Sequence, residues 1–262
     1  MTQPLLLTVE DYIATITLNR PDRRNAFTEE MIRLWVAALE ECRDSDDVKV
    51  IVITGAGKAF CSGGDIQEMI DRLDDAGAPA QKSFLEGVHG VALTLDRLDK
   101  PVIAAINGAA TGAGLDMALM CDIRFSSDRA KLAATYVNVG LVPGDGGAFF
   151  LPRLVGIAKA LELLWTGDFV SPQEAERLGI VNHVVPHDAL MDTVYAFAKR
   201  LAQGPTVAQK LIKRAVYEGL RIDLRTHLDM ISSHYAVAAG TQDHQNAIAS
   251  FMIKEKPIFE GR

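Results

Sequence analysis

Two stretches of this chain follow one layout, and that layout suits the holding of a negatively charged oxygen. The first runs Val50-Ile51-Val52-Ile53-Thr54-Gly55, then Cys61-Ser62-Gly63-Gly64-Asp65, then Ile66-Gln67-Glu68-Met69-Ile70. The second runs Val102-Ile103-Ala104-Ala105-Ile106-Asn107-Gly108, then Gly112-Ala113-Gly114, then Leu115-Asp116-Met117-Ala118-Leu119-Met120. Each reads as a buried strand, a loop of residues with little side chain, and a helix. Small residues let a ligand approach the backbone closely. A helix start offers unpaired N–H groups with a partial positive charge. Two such starts from adjacent units could aim two N–H donors at one oxygen, which is the design of an oxyanion hole.

Three carboxylates lie near these loops. Asp65 and Asp116 each stand at a helix start, where an acid is favoured by the helix dipole alone. Asp116 differs because Leu115 and Met117 flank it in an apolar, glycine-rich stretch. A carboxylate desolvated there has a raised pKa, which suits acid–base work. Asp145 sits among glycines in Pro143-Gly144-Asp145-Gly146-Gly147. It reads either as a loop brace or helix cap, or as a second carboxylate at a ligand pocket.

Other motifs carry less. Gly55-Ala56-Gly57-Lys58 lacks the earlier glycine of a phosphate loop, since Val52 holds that place, and Phe60 spoils a dinucleotide fingerprint. Ser62 is not framed as a nucleophile elbow. His183 and His187 are four apart, but Pro186 forbids a regular helix through them. No metal site is expected.

The elements that must position these residues alternate in the first half. Ile13 to Leu18 reads as a strand, Thr28 to Arg43 as a helix and Lys49 to Thr54 as a buried strand. Residues 65–76 and 80–98 read as helices separated by Gly77-Ala78-Pro79. Strand 102–106, helix 115–121 and strand 123–126 follow. Beyond the loop at 140–147 the pattern is nearly all helical: 148–155, 157–166, 172–179, 188–203, 205–220 and 224–253, with a short strand at 181–185. The expected organisation is a core over 1–200 that carries the site and a helical region over 201–262. Apolar faces in that trailing region, including Leu211, Ile212, Met230 and Tyr235, favour oligomerisation.

The 262 residues suffice for one large domain. Net charge of −7 argues against general nucleic-acid binding. No apolar run is long enough to span a membrane, and the N-terminus lacks the pattern of a signal peptide. Three cysteines, Cys42, Cys61 and Cys121, without CxxC spacing point to reduced thiols and a cytoplasmic setting.

Several blocks, in order, resemble the crotonase superfamily of enoyl-CoA hydratases and isomerases. They are Leu18-Asn19-Arg20-Pro21-Asp22-Arg23-Arg24-Asn25-Ala26-Phe27, Ala59 to Ile66, Ala105 to Gly108, Met120 to Ile123, Gly140-Leu141-Val142-Pro143, Leu151 to Gly156 and Phe251 to Phe259. The resemblance implies an α/β fold with a repeated ββα spiral core and a C-terminal helical trimerisation region. It implies an acyl-CoA thioester as substrate, with no cofactor beyond the coenzyme A of that substrate, and a homotrimer or hexamer. It places the oxyanion donors at Gly64 and Ala113. It runs the CoA moiety along Arg23, Arg24, Ala26, Ser62, Gly64, Asp65 and Ile66, with Lys254 near a phosphate. It makes Met69, Ile70, Leu73 and Phe84 borders of an apolar acyl tunnel.

The chain departs from the family pattern at four places. Gln67 stands where many relatives have lysine. The two hydratase glutamates map onto Asp116 and Tyr136, and a tyrosine does not serve as a carboxylate base at neutral pH. The loop aspartate of some isomerases maps onto Gly144, one residue before Asp145. The expected chemistry is therefore double-bond isomerisation, with Asp116 as the first acid–base residue, Asp145 next, and Tyr136 as a pocket wall or hydrogen-bond donor. The alternatives are water addition to 2-enoyl-CoA and, from another class, a non-catalytic acyl-CoA-binding subunit. Thioester hydrolysis and decarboxylation remain open on the same scaffold.

Overall fold

The computed structural model describes residues 3–71 and 85–262. Its strands are β1 (Leu5–Glu10), β2 (Ile13–Leu18), β3 (Val50–Gly55), β4 (Ala59–Cys61), β5 (Val102–Ile106), β6 (Ala109–Thr111), β7 (Ile123–Ser127), β8 (Leu132–Ala133) and β9 (His183–Val185). Its helices are α1 (Glu29–Asp44), α2 (Ile66–Asp96), α3 (Ala113–Leu119), α4 (Gly147–Val155), α5 (Ile157–Thr166), α6 (Pro172–Leu178), α7 (Leu190–Ala202), α8 (Thr206–Gly219), α9 (Leu224–Ala239) and α10 (Gln242–Ile253).

The doubled pattern is a repeated ββα unit. The first strand of each repeat joins a six-stranded sheet in the order β1-β2-β3-β5-β7-β9. The second, short strand joins a separate three-stranded sheet, β4-β6-β8. The small-residue loops expected between strand and helix therefore contain strands β4 and β6. Their few residues are too short to show a period of two, so periodicity could not find them. Beyond β1, which is antiparallel to β2, the pairing is parallel in both sheets.

Parallel strands covered on both faces read as continuous apolar runs, and β3 is one. Ile51 and Ile53 face the large core with Trp35, Leu39 and Ile106. Val50 and Val52 face a second cluster with Ile103, Phe125, Leu190 and Val194 from α7. Burying each such side chain contributes about 1.5–3 kcal/mol. The sheet is thereby clamped from both sides, which holds the ends of β3 and β5 in fixed relation.

Three readings are corrected. The single helix expected over 224–253 breaks at Gly240, because Thr241 takes the extended conformation and its hydroxyl accepts from His244 N to start α10. The strand β1 lies where none was expected. The helix expected to begin at 188 starts at Leu190, after a 3-10 turn over His187–Ala189. The break expected at Gly77-Ala78-Pro79 and the tunnel residues Leu73 and Phe84 lie outside the described residues.

Among the described residues no helix is long and apolar enough to cross a membrane. The free cysteines Cys42, Cys61 and Cys121 are all buried.

Candidate active site

The two small-residue turns meet. A Cβ on Gly114 would lie 2.0 Å from the Cys61 carbonyl oxygen, so only glycine allows α3 this close to β4. A Cβ on Gly63 would lie 3.5 Å from Ala113 N, which brings the two helix-start turns side by side. Gly63 has φ 96° and Gly112 has φ 53° with ψ −126°, conformations that glycine adopts freely.

These turns free two amides. Phe27 bridges to Gly64 through Phe27 N to Gly63 O and Asp65 N to Phe27 O, so Gly64's own N–H points away from that partner. Ala113 is the first residue of α3, where an N–H has no intrahelical acceptor. Among the described residues, these two amides on neighbouring turns thus have no backbone acceptor.

Beside them stands a carboxylate–phenol–carboxylate array. The α3 helix is buried throughout, and Asp116 is 1% exposed. Asp145 comes from the glycine loop and is also buried. Tyr136 rises from the 3-10 turn Thr135–Val139. Its hydroxyl lies 2.7 Å from Asp116 Oδ2 and 2.8 Å from Asp145 Oδ2. The first amide of α4, Gly147 N, donates to Asp116 Oδ2 at 2.9 Å. A Cβ on Gly147 would lie 2.2 Å from Asp116 Oδ1, so this residue too must be glycine. The other oxygen of each carboxylate, Asp116 Oδ1 and Asp145 Oδ1, is buried without a hydrogen-bond partner among the described residues.

The electrostatics follow from burial. Desolvation lifts the Asp116 carboxyl to about 7, helped by the Asp145 charge and opposed by the Tyr136 hydroxyl and the Gly147 amide. Desolvation also raises Asp145, opposed by the Tyr136 hydroxyl and by His89. Burial and both carboxylates push the Tyr136 phenol far above its ordinary value, so it stays protonated and is not a base. Cys61, beneath the turn, is raised to about 12 chiefly by burial, which makes it an inert thiol.

The structure adds two residues that sequence reasoning did not single out. His89 on α2 donates a ring N–H to the Gly144 carbonyl at 2.8 Å, which seats the loop carrying Asp145. It lies 55 positions away in the chain, and no local pattern marks it. Arg20 pairs with Asp65 at 2.9 Å and donates to the Ala26 carbonyl. It lies in the first resembling block, which was its signal. Asp65 caps α2 by accepting from Gln67 N at 3.0 Å. Burial works to raise its carboxyl, but Arg20 and the cap bonds outweigh that and hold it below the ordinary value. Asp65, read as an acid favoured at a helix start, is thus the cap of α2, and Asp145 shares the Tyr136 hydroxyl with Asp116.

The remaining candidates are placed as follows. Arg23 and Arg24 are exposed and Ala26 is buried. Ser62 is half-buried, its N–H bonded to the Arg24 carbonyl at 3.1 Å. Ile66 is exposed at the start of α2, and Met69 packs towards Gly64, its sulfur 3.7 Å from a Cβ placed there. Ile70 is exposed. Lys254 ends α10 in the left-handed conformation, and its N–H bonds back to Phe251 O within the arm.

A family model described as enoyl-CoA hydratase/isomerase matches residues 8–262. The chain is 34% identical over 265 residues to the 1,2-epoxyphenylacetyl-CoA isomerase of Escherichia coli, covering 100% of both. It is 35% identical over 255 residues to the short-chain-enoyl-CoA hydratase of Clostridium acetobutylicum, covering 96% of this chain and 95% of that one. The solved structure of an enoyl-CoA hydratase from Bacillus anthracis superposes with a TM-score of 0.94 at 31% identity, covering 99% and 100% of the two chains.

Proposed function

The chain belongs to the enoyl-CoA hydratase/isomerase family and is an enzyme of that lyase or isomerase type, and from that premise we propose that it moves a carbon–carbon double bond within an acyl-CoA thioester. The observation that carries this reading is the Tyr136 hydroxyl, 2.7 and 2.8 Å from two carboxylates. In water addition by paired carboxylates, the water sits between them. Here a phenol fixed to the protein takes that position. What remains is proton transfer. A carboxylate removes the proton α to the thioester, the electron pair moves to the thioester oxygen, and a proton returns at the γ-carbon. The amides of Gly64 and Ala113 hold the developing oxyanion, each worth about 3–4 kcal/mol of barrier.

The CoA moiety would pass the exposed Arg23 and Arg24 and the turn from Ala26 through Ser62, Gly64, Asp65 and Ile66, with Lys254 meeting a phosphate. Coenzyme A belongs to the substrate, and the proposed steps need no further cofactor. One observation favours hydration as the second reading: Asp116 Oδ1 and Asp145 Oδ1 are buried without a hydrogen-bond partner among the described residues, and a water between them would supply one. A 3-enoyl-CoA and crotonyl-CoA, offered separately, distinguish the two. The expected result is conversion of 3-enoyl- to 2-enoyl-CoA with slow or no water addition to crotonyl-CoA. Rapid hydration of crotonyl-CoA would overturn the isomerase reading.

The same reading makes the helical region over 201–262 an arm for a homotrimer or hexamer. No residue of α9 is buried, and Leu224, Leu228, Tyr235 and Val237 are exposed on it. Apolar surface on this scale is covered by another copy in a stable assembly. Sedimentation equilibrium is expected to give three or six chains per particle, and a monomer would refute the assignment.

A further inference from the structure

We propose that Tyr136 couples Asp116 and Asp145 into one acid–base unit that holds a single shared proton at neutral pH. The hydroxyl owns one proton and donates along one direction at a time. Yet it lies within hydrogen-bond distance of both Oδ2 atoms, at 2.7 and 2.8 Å. With both carboxylates ionised, one of those contacts would set lone pair against lone pair in a buried place. A proton on one carboxyl removes the conflict. That carboxyl then donates to Tyr136 Oη, and Tyr136 donates to the other carboxylate. The mirror arrangement differs only by a shift of two protons along the same two hydrogen bonds.

Each carboxylate has neighbours that favour its anion, the Asp145 backbone N–H joining Gly147 on the Asp116 side. Gly147 N–H, from α4, favours the anion on Asp116. His89, from α2, favours the anion on Asp145. The Cys61 thiol of β4 stays neutral and favours neither. The raised Asp116 and Asp145 carboxyls agree with a retained proton. In turnover, the ionised member takes the α-proton as the C–H bond breaks and its electron pair passes to the thioester. The unit then holds two protons, returns one to the γ-carbon and is left with one. Tyr136 acts through its neighbours and is a positioning residue.

This deepens the isomerase reading and rests on it for the substrate, but the resting proton needs no substrate to be seen. Infrared spectroscopy of the substrate-free protein at pH 7 is expected to show one protonated-carboxyl C=O band per chain. The pH midpoint of the band is expected to fall in Asp116→Asn and, separately, in Asp145→Asn, because the remaining carboxylate then has the Tyr136 hydroxyl to itself and no second carboxylate charge beside it. In Tyr136→Phe the pH midpoint of the band is expected to move by about one unit or more. Should the asparagine variants fail to fold by circular dichroism, the Tyr136→Phe midpoint decides alone. A band midpoint left unchanged by Asp145→Asn, or an unmoved midpoint in Tyr136→Phe, would show that burial alone holds the proton and would overturn the proposal. These results with no isomerisation of any enoyl-CoA would sink the isomerase reading and leave the shared proton standing.

Discussion

Asp116→Asn is expected to lower kcat by about 10²–10⁴-fold while acyl-CoA affinity stays within a few-fold. The amide fills the same volume and its oxygen still accepts from Gly147 N, but it can neither take nor give a proton. Stability is expected to change in the opposite sense. Burial raises the folded Asp116 carboxyl to about 7, against about 4 in the unfolded chain. The group's contribution to stability is complete below about pH 4 and is lost as pH rises through about 7. Asparagine has no such loss. The urea midpoint of Asp116→Asn at pH 8 is expected to exceed that of the unsubstituted protein, and the advantage to shrink steadily towards pH 4. A variant equally stable at both pH values would mean that Asp116 is not desolvated as described. Turnover that persists in Asp116→Asn would remove it from the chemistry.

Gly114→Ala has the second large effect. The added Cβ would stand 2.0 Å from the Cys61 carbonyl oxygen and 2.9 Å from Cys61 Cβ. The first of these is backbone within β4 and cannot swing aside. Either α3 or β4 must move, at a cost of about 1–3 kcal/mol or more. Such a shift separates the Gly64 and Ala113 amides and carries Asp116 with it. Misplacing one of these proposed oxyanion donors is expected to lower kcat by about 10²–10³-fold. Gly87→Ala on α2 is the control, because among the described residues nothing lies within 4 Å of its Cβ position. It is expected to leave kcat unchanged and to add about 0.5–1 kcal/mol of stability. A fully active Gly114→Ala enzyme would break the link between this close approach and catalysis.

Much of the architecture was legible because it rests on local chemistry. The β-branched run Val50–Thr54 could only be a buried strand, and it lies at the centre of the sheet with both faces covered. The small residues at 61–65 and 112–114 marked the turns where backbone comes close to backbone. Asp65 was readable as an acid at a helix start, and the structure makes it the cap of α2. Strands β4, β6 and β8 were not readable, because strands of two or three residues are defined by partners far along the chain. The break at Gly240 was missed because apolar spacing continues across it, and the Thr241 cap decides it.

The candidate site divides along the same line. The sequence by itself determined the small-residue turns that bring Gly63 beside Ala113, since glycine and alanine there allow few other geometries. It also marked Asp116 as a carboxylate that desolvation would raise, because its neighbours are apolar. Only the tertiary structure decided what surrounds it. Asp145 lies 29 positions away on a loop whose aim depends on single dihedral angles, and its seat comes from His89 on a third element. Tyr136, which on sequence grounds replaced a missing carboxylate, became the link between two that are present. Backbone conformation is set by neighbours in the chain. The meeting of three side chains from three elements is set by packing, and a sequence does not display it.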